Sequence, residues 1–144
     1  MSVCAICDKH KDLAKYTGPA IFDDGGWLVT HFPKVETEKA TLGHLLIECK
    51  RHILDLAELN DEEAATLGRL IRDGADLIKT KTKAEHVYCF RINDKTPHLH
   101  FHLIPRYPDT PKEFWGTNIM ACTTSPKLAT LEEISGAAQS FISF

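Results

Sequence analysis

Residues 98–106 alternate between histidine and apolar side chains: His98-Leu99-His100-Phe101-His102-Leu103, followed by Ile104, Pro105 and Arg106. A period of two predicts a strand with Leu99, Phe101 and Leu103 on one face and the imidazoles in a row on the other, roughly 6–7 Å apart. Pro105 and Pro108 are expected to end it. The longest helical pattern covers residues 61–82, where Ala64, Leu67, Leu70, Ile71, Leu77 and Ile78 recur at three-and-four spacing. Asn60 and Glu63 supply a capping box for it, and Gly68 and Gly74 weaken it slightly. Apolar runs at 20–22, 27–32, 43–49 and 86–92 read as strands, and Asp23-Asp24-Gly25-Gly26 reads as a hairpin turn. Residues 1–17 read as a short helix or turn, 33–42 as a loop, 109–126 as irregular and 128–141 as a closing helix. Short connections between strands favour antiparallel neighbours. The expected class is α+β, one antiparallel sheet carrying a long central helix and a C-terminal helix.

Composition narrows this picture. A chain of 144 residues with 43% apolar and 26% charged side chains fits one domain with one sizeable core. A net charge of −3 gives no bulk reason to bind nucleic acid or a membrane surface. No apolar run approaches the roughly 20 residues needed to cross a bilayer, and the opening stretch has no positive-then-apolar leader. A cytoplasmic location is expected. Five cysteines in a reducing compartment argue against a disulfide framework. Cys49, Cys89 and Cys122 read as buried structural thiols, whereas Cys4 and Cys7 form a C-x-x-C pair suited to metal or redox chemistry.

Imidazole titrates near pH 6.5, so three in register can hold metal, move protons or attack an electrophile. One reading is a metalloenzyme in which the row itself binds a catalytic metal. A second is nucleophilic attack on phosphorus by a neutral imidazole whose other nitrogen is held by an acceptor, with neighbouring imidazoles stabilising charge or supplying a proton. The plain alternative is a strand with solvent-exposed histidines. Cys4, Cys7, His52 and one histidine of the row would make a Cys₂His₂ set for tetrahedral zinc, although only the C-x-x-C half has a diagnostic spacing.

His98-Leu99-His100-Phe101-His102-Leu103-Ile104 resembles the signature of the histidine triad (HIT) superfamily, His-φ-His-φ-His-φ-φ with φ apolar. The flanks resemble it too: Gly43-His44 opens an apolar strand, Lys50-Arg51-His52 follows it, and Pro105-Arg106 follows the triad. The N-terminal C-x-x-C is similar to the zinc-containing bacterial branch. The likeness spans about residues 4–107, leaving 108–144 as a C-terminal extension of a single HIT-like domain. It implies a nucleotide hydrolase or transferase that cleaves at the α-phosphate of dinucleoside polyphosphates, nucleoside phosphoramidates or adenylyl conjugates. It further implies that His100 is the nucleophile carrying a nucleotidyl intermediate, that His102 contacts phosphate and that His44 stands beside the nucleophile. Cys4, Cys7, His52 and His98 become ligands of a structural zinc, and the protein a homodimer. A nucleotide-binding or scaffolding protein with little turnover is the other reading kept open.

Some positions depart from the family pattern. The stretch before the triad that commonly holds phosphate and leaving group reads Asp94-Lys95-Thr96 here. Lys95 and Thr96 are candidate substrate contacts, as is Asn93 for a phosphate-contacting asparagine; a plain turn is the alternative for this stretch. The acidic residue that often holds ribose hydroxyls is missing from Thr30–Phe32, where Thr30 or His31 stands instead. A carbonyl near Gly43 or His44 is a candidate acceptor for the far nitrogen of His100. Trp27 is expected in the core and Trp115 in a substrate-facing loop.

Overall fold

The elements, in chain order, are α1 (Ala5–Lys11), β1 (Phe22–Asp23), β2 (Trp27–His31), β3 (Ala40–Thr41), β4 (Leu45–Cys49), α2 (Asp61–Lys81), β5 (His86–Phe90), β6 (His100–Arg106), β7 (Lys127–Leu128) and α3 (Leu131–Ser140). They come from a computed structural model that describes residues 4–92 and 94–142. Five strands form one antiparallel sheet in the order β1-β2-β4-β6-β5. The α+β architecture is the one the alternation and the helical spacing predict.

The sheet has two unlike faces. On one, Trp27, Val29, Leu45, Ile47, Phe101 and Leu103 pack with Leu70, Leu77 and Ile78 of α2 and with Ala138 and Phe141 at the C-terminal helix. Each fully buried aliphatic side chain here is worth about 1.5–3 kcal/mol. Helix α2 starts as expected: Asn60 accepts from the Glu63 amide and Glu63 reaches back to the Asn60 amide. Its contact stripe is Leu70, Gly74, Leu77 and Ile78, with Ala64 left exposed. Gly74 is the point of closest approach, because a Cβ there would stand 2.6 Å from Leu103 Cδ1. Arg51, just past β4, clamps Glu63 with Nε and Nη2 at 2.9 and 2.8 Å and holds that carboxyl down at about 2.

Four expectations need correction. The triad strand does not stop at Pro105 but continues to Arg106. β4 ends opposite Leu103, so Pro105 faces only Val87 of β5, and its missing N–H costs no ladder bond on the other side. Residues 33–42 are not all loop: β3 pairs with β7, a ribbon too short for a period of two to register. The closing helix starts at Leu131 behind the Thr130 cap, not at 128. Cys89 is exposed, because β5 is an edge strand that its neighbours do not cover, whereas Cys49 and Cys122 are buried. Among the described residues, no helix is long and apolar enough to cross a membrane.

Candidate active site and metal centre

Two clusters lie at the head of β6. The first gathers Cys4, Cys7, His52 and His98, whose ligand atoms all lie within 4.8 Å of one another. Cys4 caps α1 and its Sγ accepts from the Cys7 amide at 3.3 Å, so the C-x-x-C spacing brings both thiols to the first turn. Cys4 Sγ and Cys7 Sγ stand 3.4 and 3.6 Å from His98 Nδ1, Cys7 Sγ stands 3.4 Å from His52 Nδ1, and the two imidazole nitrogens are 3.2 Å apart. Zinc bonds of 2.0–2.3 Å arranged tetrahedrally imply ligand–ligand spacings of roughly 3.3–3.8 Å. The donor set therefore fits such an ion. His98 is fully buried, and its Nε2 donates to the Cys49 carbonyl at 2.6 Å, which leaves the Nδ1 lone pair facing the cluster. Burial also holds this imidazole below its ordinary range and so in the neutral, ligating form.

The second cluster joins His44, His100 and His102. His100 Nδ1 donates to the His98 carbonyl at 2.6 Å, so in its neutral form the lone pair is on Nε2. The acceptor is thus the backbone two residues upstream, not a carbonyl near Gly43 or His44. His44 Nε2 and His102 Nδ1 share a hydrogen bond of 2.8 Å, and the His100 and His102 rings lie 5.1 Å apart, closer than strand rise alone gives. Phe32 stacks on His44 at 4.3 Å. Burial, reinforced by the charge of His100, pushes His102 down to about 4; burial and His102 hold His44 well below its usual range. Gly43 takes a left-handed turn (φ +85°) into β4, and its amide donates to His31 Nε2 at 2.9 Å.

His100 and His102 border a cleft of about 770 Å³ whose walls are mostly apolar, with Ile6, Phe32, Leu46 and Phe90 among them. Lys95 and Thr96 also line it; Asn93 lies outside the described residues. Thr30 is fully buried on the cleft face. His31 is not a candidate contact: it is buried on the opposite face, donates to the Phe32 carbonyl and is pushed by burial to about 4. Trp27 is buried and donates to the Glu63 carbonyl. Trp115 lies under the Arg106 guanidinium at 3.9 Å, and from its segment Thr117 and Met120 line the cleft instead.

Lys9 and Glu48 also line the cleft and escaped the reading of the chain. Lys9 Nζ stands 2.5 Å from Glu48 Oε2, and His10 Nε2 lies 3.0 Å from Glu48 Oε1. Burial alone would raise the Glu48 pKa, but Lys9 and His10 hold it below the usual carboxylate range. A glutamate amid Leu45-Leu46-Ile47 was the available signal, since a buried carboxylate needs a partner. Lys9, within Asp8-Lys9-His10-Lys11, carried none.

The structure resembles several solved proteins. A hypothetical histidine triad nucleotide-binding protein from Sulfolobus tokodaii aligns at a TM-score of 0.65 with 20% identity, over 96% of this chain and 91% of that one. A zinc-bound histidine triad family protein from Mycobacterium smegmatis aligns at 0.60 with 19% identity, over 95% and 94%. A Hit-like protein from Bartonella henselae, described as involved in cell-cycle regulation, aligns at 0.66 with 17% identity, over 95% and 93%. Such identities speak for the fold alone. Among curated proteins, none matches. The sequence model of the HIT domain matches residues 28–109, more than half of the chain and inclusive of the whole triad, so this chain belongs to the HIT domain family.

Proposed function

We propose that this protein is a nucleotide hydrolase or transferase that cleaves at the α-phosphate of nucleoside phosphate conjugates through a nucleotidyl-histidine intermediate. The observation that carries the reading is the 2.6 Å bond from His100 Nδ1 to the His98 carbonyl, which points the lone pair of Nε2 away from the backbone. In the first step that lone pair forms a P–N bond while the bond from phosphorus to the leaving group breaks, the leaving group taking up a proton. In the second, water forms a P–O bond, the P–N bond breaks, and His100 is regenerated as the water loses its proton. His102 is kept neutral. With His44 Nε2 donating to its Nδ1, His102 Nε2–H is available to a phosphate oxygen. Lys95 and Thr96, on the cleft rim, are suited to the leaving group.

Cys4, Cys7, His52 and His98 would hold one zinc. Four protein ligands fill a tetrahedral shell, so the ion supplies cross-linking and not chemistry. The reading extends to one HIT-like domain over residues 1–144, a cytoplasmic protein, and a homodimer for which the β5 edge offers backbone donors and acceptors. Sizing in solution tests the last.

The decisive experiment compares rates on diadenosine polyphosphates, adenosine phosphoramidate and adenylyl sulfate, with quenched mixtures digested to find the nucleotide on His100. Hydrolysis with labelled His100 is expected. Nucleotide binding without turnover of any substrate would replace the enzyme reading with a binding protein.

A further inference from the structure

The proposed reaction leaves one pair of groups in the cleft without a task. The side chains of Lys9 and Glu48 are 5% and 0% exposed, yet both residues line the cleft. Strand register sets Glu48 directly across from His100, and Lys9 Nζ reaches past it to Thr30 Oγ1, 3.5 Å away on β2. Stability is a weak reason to keep such a pair, since apolar residues of similar volume often serve a core equally well or better. The neighbouring positions of β4, Leu45, Leu46 and Ile47, are apolar.

The cleft extends to both sides of the His100–His102 pair. Toward β5 it opens on the exposed rim that carries Lys95. Toward β2 it is lined by Ile6, Phe32, Leu46 and Lys9, with Lys34 and Glu38 also on the lining. The second arm suits a flat, largely apolar ring met by few polar groups. Strand β2 lies two strand spacings from β6, on the order of 10 Å, so a ribose seated over Leu46 would link phosphorus at His100 to a base beside Lys9. An ammonium has three donors and no acceptor. Among the described residues, Glu48 and Thr30 accept two of them, which leaves the third donor for an acceptor within the cleft.

We propose that Lys9 reads a hydrogen-bond acceptor on the edge of the substrate's nucleobase, a ring nitrogen or exocyclic carbonyl, and that Glu48 and Thr30 are positioning residues that aim its ammonium. The inference rests on the nucleotide chemistry proposed above. A charge-assisted hydrogen bond in a closed site gives roughly tenfold or more in discrimination.

The test is a ratio: kcat/KM on adenosine 5′-phosphoramidate over kcat/KM on ribose 5-phosphoramidate, which lacks the base. Lys9→Met is expected to lower this ratio at least about tenfold, chiefly through KM on the adenosine compound. Glu48→Gln is expected to lower it less. An unchanged ratio would mean that the pair only supports the fold. A loss that follows 2′,3′-dideoxyribose instead of the base, or an equal loss of inorganic phosphate affinity, would also overturn the assignment. Should Lys9→Met unfold by stranding the Glu48 carboxylate, the Lys9→Met/Glu48→Leu variant has no buried charge left to strand, and the same drop in ratio is expected from it. Should the wild type turn over no conjugate, the proposed chemistry fails. Calorimetric affinities for adenosine monophosphate and ribose 5-phosphate, compared between wild type and variants, then still decide whether Lys9 reads a base.

Discussion

His98 and His100 stand two residues apart, yet opposite nitrogens of their rings are tied to the backbone. His98 gives Nε2–H to the Cys49 carbonyl and turns Nδ1 toward two thiols and a second imidazole. His100 gives Nδ1–H to the His98 carbonyl and keeps Nε2 for the cleft. One side-chain type is thus suited to metal ligation or to the proposed nucleophilic attack according to which nitrogen a carbonyl occupies. The surroundings sharpen the contrast: the first ring is packed among soft ligands, the second beside two imidazoles that burial keeps neutral.

The strongest way to break this comparison is to remove one ring at a time. His100→Ala is expected to lower turnover by roughly three orders of magnitude or more, with bound zinc unchanged by elemental analysis. Loss of the metal along with activity would place His100 among the ligands. Cys4→Ser should do the reverse: zinc content drops and Tm falls by roughly 10 °C, while turnover per folded molecule falls far less. Unchanged metal content in that variant would reject the cluster as a zinc site.

Acid separates buried neutral histidines from ligating ones. The unfolded chain protonates His31 near pH 6.5 and the folded chain only at about 4. The unfolded state therefore binds more protons in this window, so stability is full above about pH 6.5 and declines toward pH 4, by roughly 3 kcal/mol for this residue. Urea titrations at pH 7 and 4.5 should show a smaller decline for His31→Gln than for the wild type. Equal declines would show that burial of His31 does not set the slope. The smallest effect belongs to Phe32→Leu, which removes the stack on His44. Turnover should fall about two- to tenfold, with zinc content intact. No change would mean that the His44–His102 bond holds that pair unaided.

How much of this could be read from the chain depended on whether a pattern was local. The triad alternation, the Asn60–Glu63 cap and the C-x-x-C turn each lie within a few residues; the cap and the turn formed where expected, and the triad strand formed from His100 onward, with His98 and Leu99 just before it. The closure of His52 and His98 on the two thiols spans up to 94 residues, and spacing could not derive it; family resemblance supplied it. The acceptor for His100 is a main-chain carbonyl, which any residue type provides, so its position could not be read. Lys9 sits among the titratable residues Asp8, His10 and Lys11, and only its burial where α1 packs over Glu48 distinguishes it from them. The β3–β7 ribbon and the passage of β6 through Pro105 depend on where neighbouring strands end, which is a property of the assembled sheet.

Helix α1 has only seven residues, Ala5–Lys11, too few to persist alone in water. Its place is fixed from one side by the cysteines at its start and from the other by the Lys9–Glu48 contact, while Ile6 completes a wall of the cleft. Proteolytic nicking just after Lys11 would therefore strip away that wall together with Cys4 and Cys7, half of the Cys₂His₂ set, leaving a sheet on which His100 and His102 face an open trough.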